Sequence, residues 1–471
     1  MKTPLDKSLT ELATALRAGQ TTAKELTEAC VANRDATEDL NAYKTWTPDF
    51  ARQCAGLADD AFKAGIDLGA LQGIPVSVKD LYGVQGIETF AGTHKALPQD
   101  WQTEGEVIES IRQQLGVVTG KTHTVELAFG GLGVNSHWGT PRNPWDAENH
   151  RVPGGSSAGA GVSLQQGSAL VALGTDTAGS VRIPASMTGT VGLKTSVERW
   201  STSGIVPLST TLDTAGVLAR TVEDVAYSFA AIDPFIDSTS EEFLSEIQSY
   251  PASAITIGIV HEEVWDDCSA GVTESIQETL KECEQAGVIL KDIDLPECTD
   301  AIDMLAKGSV AAAECDEFIE AVLPAWRDCL DPLVSTRIRD GDQLSAREYL
   351  TRLRWFDDTA IKANTRFKDC DVIASPTVCI TPPRLYEVSE LDGYRANNML
   401  ALRNTCIANF LGLCAITIPA GLDQTGMPVG LQLMARHGDE KHLLAIALAV
   451  ENIIGTSSQR LGKPPMVAWK K

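Results

Sequence analysis

Short apolar runs of strand length recur along almost the whole chain, helical periodicity fills most of the intervals between them, and nothing divides the series. Periodicity predicts helices over Ser8–Arg17, Ala23–Asn33 and Asp49–Lys63. Ile74-Pro75-Val76-Ser77-Val78 then reads as a buried strand ending at Lys79-Asp80, and a charged residue at a strand end is well placed to line a cleft. Strand-like runs follow at Val117-Val118, Ala169–Leu173, Ile255–Val260, Val288–Leu295, Val372–Ser375, Ala415–Pro419 and Val429–Met434. Such alternation leads us to expect an α/β fold, a large mixed twisted β-sheet covered by helices on both faces. No repeat, low-complexity tract or Gly/Ser linker occurs, so one domain is expected over residues 1–471. The stretch 240–345 is more acidic and helical and is read as a cap-like insertion over the site.

Charge narrows the function classes. The formal net charge of -24 sets 63 acidic against 39 basic residues, a field that repels phosphate backbones and anionic membrane surfaces. Direct nucleic-acid binding and membrane association are therefore not expected. The eleven cysteines include no Cys-x-x-Cys pair and are odd in number, which points to reduced thiols in the cytoplasm. None lies between Cys54 and Cys268. The N-terminal stretch Met1 to Gly19 carries Asp6 and Glu11 and lacks the apolar core of a signal peptide. The longest apolar run, Leu443 to Val450, falls far short of the roughly 20 residues a spanning helix needs.

Glycine is unevenly spread. Gly154, Gly155, Gly159, Gly161, Gly167, Gly174, Gly179, Gly189 and Gly192 crowd one segment that also holds Ser156, Ser157 and Ser180, so backbone there can approach something closely. A phosphate-binding loop would need a lysine straight after its glycines, and none occurs before Lys194. Gly155-Ser156-Ser157-Ala158-Gly159 fits the Gly-x-Ser-x-Gly nucleophile elbow, with Ser157 as nucleophile. Its context is wrong: the elbow should follow a buried strand, but His150-Arg151-Val152-Pro153 precedes it. The late histidines available to such a triad are His261, His437 and His442.

A longer pattern accounts for the segment as a whole. Gly154-Gly155-Ser156-Ser157-Ala158-Gly159 is followed by Gly174-Thr175-Asp176-Thr177-Ala178-Gly179-Ser180-Val181-Arg182-Ile183-Pro184-Ala185, then by Gly189 and Gly192-Leu193-Lys194. This closely resembles the amidase signature family, including the spacing that the family's two serines keep. Further matches are Gly73-Ile74-Pro75-Val76-Ser77-Val78-Lys79-Asp80, Asn143-Pro144-Trp145, Leu212-Asp213-Thr214-Ala215-Gly216, Ala219-Arg220-Thr221-Val222-Glu223-Asp224 and Pro428-Val429-Gly430-Leu431-Gln432-Leu433. Two departures stand out: Ala178 replaces a more usual glycine, and Thr195-Ser196 replaces Pro-Thr. The extra methyl of Ala178 would narrow the pocket towards small or urea-like amides.

The resemblance implies that Ser180 forms an acyl-enzyme, Ser156 relays the proton and Lys79 is the base, with a cis peptide before Ser156. A serine hydroxyl is a poor nucleophile unless a base takes its proton. Lysine serves only when uncharged, so burial must bring it down from an unperturbed pKa of about 10.4. A strand-end lysine facing solvent and paired with Asp80 is the structural alternative. Thr177-Ala178-Gly179-Ser180 would offer backbone N–H groups to the oxyanion. Asp176 and Arg182 are expected to pair and hold that loop, with direct substrate contact by Arg182 the lesser option, and Ser157 to support the relay. Ala128, Phe129 and Gly130 align with a family loop lining the acyl pocket, although Phe129 fits a core position equally well. His123, His137 and His150 match no zinc spacing, so neither a metal nor a cofactor is expected.

The resulting expectation is a cytoplasmic amidohydrolase that acts on a small-molecule amide, urea or carbamate and releases ammonia or an amine; a homodimer is the assembly allowed for. The alternative is the glutamine-hydrolysing, ammonia-supplying component of a tRNA-dependent amidotransferase. A silent binding protein on the same fold is a third, disfavoured because all three triad positions are occupied.

Overall fold

The computed structural model of the chain describes residues 6–261, 263–308 and 310–467. Residues 1–5 of the N-terminal stretch considered for a targeting signal, and the end of the chain past 467, lie outside the described residues. Strands β1 (Tyr43–Trp46), β2 (Pro75–Lys79), β3 (Val117–Thr122), β4 (Val171–Asp176), β5 (Val191–Lys194), β6 (Thr214–Ala219), β7 (Thr256–Val260), β8 (Ile289–Ile293), β9 (Val372–Pro376), β10 (Cys414–Leu422) and β11 (Pro428–Ala435) join in a single sheet. Their order is β1-β3-β2-β4-β6-β5-β10-β11-β9-β7-β8. The sheet is mixed: β2 runs parallel to β3 and β4, and β7 parallel to β8 and β9, while the pairs between β4 and β9 are antiparallel. Helices flank it, which makes the fold α/β.

Local sequence explains the elements. The first helix, Leu9–Arg17, starts at Ser8, whose hydroxyl accepts from the Glu11 N–H while the Glu11 carboxylate accepts from the Ser8 N–H. It buries Leu9, Leu12, Ala13, Ala15 and Leu16, the face that its periodicity marks. Helices Ala23–Ala36 and Pro48–Lys63 follow where expected. Every residue of β2, β4 and β6 is buried, as suits strands covered on both faces.

Three strands were not anticipated from sequence: β1, β5 and β6. β5 and β6 contain Gly192 and Gly216, which weaken a strand signal. A side chain at Gly216 would place its Cβ 2.5 Å from the Leu193 carbonyl oxygen on β5, so the pairing itself demands glycine.

Register positions the site. Val78 lies opposite Leu173, so the C-terminal ends of the parallel strands β2 and β4 emerge side by side, carrying Lys79 and Thr175. Asp176 on β4 faces Thr214 on the antiparallel β6, which brings Asp213 to the same end. Residues 240–345 give β7 and β8 to one sheet edge and then the helices Glu297–Ala306, Val310–Val322 and Pro332–Ile338. No helix among the described residues is long and apolar enough to cross a membrane.

Candidate active site

Lys79 is fully buried at the end of β2, and its Nζ lies 2.7 Å from Ser156 Oγ and 2.7 Å from Thr175 Oγ1. Burial drives its pKa down, against the pull of the Asp213 and Asp176 carboxylates, to about 7. A substantial fraction of the amine is therefore neutral near pH 7. Asp80 points elsewhere: its Oδ1 lies 3.2 Å from the buried Lys121 Nζ, and its carboxylate accepts the Phe90 N–H. The strand-end lysine is thus neither solvent-facing nor partnered by its neighbour.

Ser156 sits after a cis Gly155-Ser156 peptide, and helix Ala158–Gln166 begins just beyond it. Ser157 is fully buried; its hydroxyl donates to the Thr175 carbonyl at 3.3 Å, and its N–H donates to the Ser180 carbonyl at 3.2 Å. That backbone bond ties the Ser156 loop to the Ser180 loop.

The second loop is built around a carboxylate. Asp176 accepts from the Gly179 N–H at 2.7 Å, the Val181 N–H at 3.1 Å and Asn409 Nδ2 at 2.9 Å. Arg182 adds Nε at 3.1 Å and Nη2 at 2.9 Å. Burial pushes the Asp176 carboxyl upward, but the Arg182 charge and these hydrogen bonds outweigh it and hold the group well below the usual carboxylate range. Arg182, itself fully buried, also donates to the Thr405 carbonyl, Gln432 Oε1 and Asn409 Oδ1, so its donors are spent inside the protein. Thr177 Oγ1 donates to Asp213 Oδ1 at 2.5 Å. Loss of water raises the half-buried Asp213 to about 6 despite bonds from Thr177, Ser209 and Leu208.

Gly179 has φ +134°, and a Cβ there would stand 2.1 Å from Thr405 Oγ1. Gly179→Ala is expected to destabilise the protein by about 1–3 kcal/mol through clash and backbone strain and to lower activity with it. Urea denaturation and a rate assay on the same preparation check both.

Ser180 is 4% exposed and opens on a cavity lined by Ala128, Phe129, Gly130, Thr177 and Ala178. Phe129 is buried and lines the cavity, so its two readings merge. Leu127 and Ala128 both have left-handed backbone, φ 49° and 58°, which turns this loop back towards Ser180. Leu208, Leu212, Leu305, Ala311, Leu402 and Phe410 complete the lining with Arg337, which donates to the Phe129 carbonyl at 2.6 Å.

The three histidines near these loops do other work. His137 Nε2 lies 2.9 Å from Glu126 Oε1, the buried His123 has its Nε2 3.3 Å from Asn41 Oδ1, and the His150 carbonyl accepts from the Leu385 N–H. Among the described residues, no group of three or more His, Cys, Asp and Glu side chains is disposed to hold a metal ion.

Sequence reasoning missed Thr175 as the second hydroxyl on Lys79, although it stands inside the quoted motif. Asp213 was quoted only as part of a matching segment, and its approach follows from the β4–β6 register. Arg337 carried no signal in sequence.

The amidase family model matches residues 25–444. The 2-amino-5-chloromuconic acid deaminase of Comamonas testosteroni is 49% identical over 466 residues, covering 98% of each chain. A component of the glutamyl-tRNA(Gln) amidotransferase of Thermoanaerobacter pseudethanolicus is 31% identical, covering 96% of this chain and 98% of its own. A crystal structure of an amidase superposes with a TM-score of 0.82 at 27% identity, covering 95% of this chain and all of that one. Motifs, topology and these likenesses agree: the chain belongs to the amidase family.

Proposed function

We propose that this amidase hydrolyses the C–N bond of a small substrate through an acyl-enzyme on Ser180, releasing ammonia or an amine. The observation that carries this reading is a fully buried amine, with pKa near 7, standing 2.7 Å from Ser156 Oγ. Neutral Lys79 takes the Ser156 proton as Ser156 takes that of Ser180, and Ser180 Oγ attacks the substrate carbon. The proton held on Lys79 returns through Ser156 to the leaving nitrogen. Water then cleaves the ester by the same relay.

Backbone N–H groups of Thr177, Ala178 and Ser180 meet the oxyanion, each worth about 3–4 kcal/mol where such donors have been removed. The Gly179 N–H, already given to Asp176, shapes the loop instead. The chain acts as one domain, in which the helices between 297 and 338 cap the cavity through Leu305, Ala311 and Arg337. All eleven cysteines are free thiols, which supports a cytoplasmic location.

The 49% identical relative is named for deaminating an amino-substituted muconic acid, a dicarboxylate, and since an acyl-enzyme needs a carbonyl carbon bearing the leaving nitrogen, we take amide-bearing dicarboxylic acids as the substrate class. Glutamine hydrolysis within an amidotransferase rests on relatives at 31% and is the second reading. Treatment with a fluorophosphonate followed by peptide mass spectrometry tests the nucleophile. The adduct is expected on Ser180. An adduct on Ser157 would restore the elbow, and no adduct at all would overturn serine catalysis.

A further inference from the structure

Helix Val310–Val322 gives Ala311 to the lining of the cavity onto which Ser180 opens and, three residues on along the same face, gives Glu314 to the loop that precedes β6. That loop places Leu208 and Leu212 in the cavity lining and carries Ser209 and Thr211 between them. The half-buried Glu314 carboxylate binds both. Its Oε2 accepts the Ser209 hydroxyl and the Thr211 N–H at 3.3 Å, and its Oε1 accepts Thr211 Oγ1 at 2.5 Å and the Tyr349 hydroxyl, from helix Ala346–Arg366, at 2.7 Å. A carboxylate offers about four acceptor sites, so this one is fully engaged, and bonds to an ionised acceptor are the strong ones. Ser209 Oγ in turn accepts the Leu212 N–H at 3.1 Å.

Asp213 grips the same loop from the sheet side. Its Oδ2 accepts the Leu208 N–H at 2.8 Å and the Ser209 N–H at 3.0 Å, while its Oδ1 takes Thr177 Oγ1 from the loop of the nucleophile. Leu208 and Leu212 therefore ride on a strap fastened to the sheet by one carboxylate and to the helices over the cavity by another. Glu314 itself is not among the described residues that line the cavity.

We infer that Glu314 is a positioning residue for substrate selection: by clasping Ser209 and Thr211 to helix Val310–Val322 it fixes Leu208 and Leu212 relative to Ala311, and so sets how long an acyl chain the cavity admits. This rests on the Ser180 reading and deepens it. An apolar wall discriminates by size only while it cannot yield, and one methylene is then worth about 10- to 200-fold. With the clasp removed the two leucines are free to retreat, although Lys79, Ser156 and Ser180 all remain.

Ammonia release from the monoamides of succinic and suberic acid, measured as kcat/KM on the full-length chain, tests the inference. Glu314→Ala is expected to raise the suberic-to-succinic ratio by about 10-fold or more, chiefly through the KM of the longer amide. Glu314→Gln, which keeps the length of the side chain and an accepting oxygen, should leave the ratio nearer that of the wild type. Thr211→Val, close in shape but without the hydroxyl, should move it in the same direction as Glu314→Ala by a smaller factor, and it carries the test if Glu314→Ala does not fold. Equal losses for both amides in Glu314→Ala, the mark of a purely structural carboxylate, would overturn the inference, as would a ratio unmoved in both Glu314→Ala and Thr211→Val. Hydrogen exchange over residues 208–213 follows the strap without reference to the chemistry: it should quicken in Glu314→Ala, and unchanged protection would overturn the clasp. Fluorophosphonate labelling of the wild type separates the two readings. Labelled Ser180 with an unmoved ratio sinks only the role of Glu314, whereas a released strap and a shifted ratio without labelling sink only the nucleophile.

Discussion

Lys79→Met is expected to lower the rate of substrate hydrolysis by about 10²- to 10⁴-fold, the usual contribution of a positioned general base. The wild-type pH profile carries the same information. With the amine titrating at about 7, activity rises roughly tenfold per unit below that pH and levels off above it. A profile flat from acid to alkali, or a Lys79→Met chain of undiminished activity, contradicts the base assignment. Stability must follow the same group. The folded pKa lies below that of an exposed lysine, so the unfolded chain binds a proton that the folded chain releases. The contribution of Lys79 to stability therefore increases as pH rises from about 7 towards about 10. Urea midpoints measured across that window should climb in the wild type and climb less in Lys79→Met.

Asp176→Asn is expected to destabilise the protein by about 3–5 kcal/mol, a large part of the 5–15 kcal/mol that holds a typical domain folded. The substitution leaves the Arg182 guanidinium fully buried without its counter-charge. It also weakens the acceptor for the Gly179 and Val181 N–H groups, which brace either side of Ser180. Removing both charges together, as in Asp176→Leu with Arg182→Met, should recover part of the stability because no lone charge remains. It should not recover activity, because the loop N–H groups still lack their acceptor. Denaturant unfolding of the single and double variants, beside fluorophosphonate labelling of Ser180, measures both effects.

How legible these features were depended on the reach of each interaction. Lys79 stood out because a contiguous apolar run ends at it, and the burial that lowers its pKa belongs to that run. The two serine loops were visible as dense glycine, since close backbone approach leaves its mark locally. Asp213 and Arg337 reach the site through strand register and helix packing, across spans of chain that no local pattern records. β5 and β6 were hidden for a related reason, because the small residues that let them pair closely dilute the β-branched signal of a strand. The Asp80 pairing, weighed only as the alternative for Lys79, fails for a local reason: successive side chains on a strand diverge, and Asp80 turns to Lys121.

The reacting groups come from the end of β2, the loop before helix Ala158–Gln166 and the loop after β4, whereas much of the remaining cavity lining, Leu305, Ala311, Arg337, Leu402 and Phe410, comes from later in the chain. Heredity can therefore treat the two as separate organs. Substitutions at Leu305 and Ala311 retune which molecules are admitted without removing a group of the proton relay, and this offers one lineage a route to many diets with a single engine.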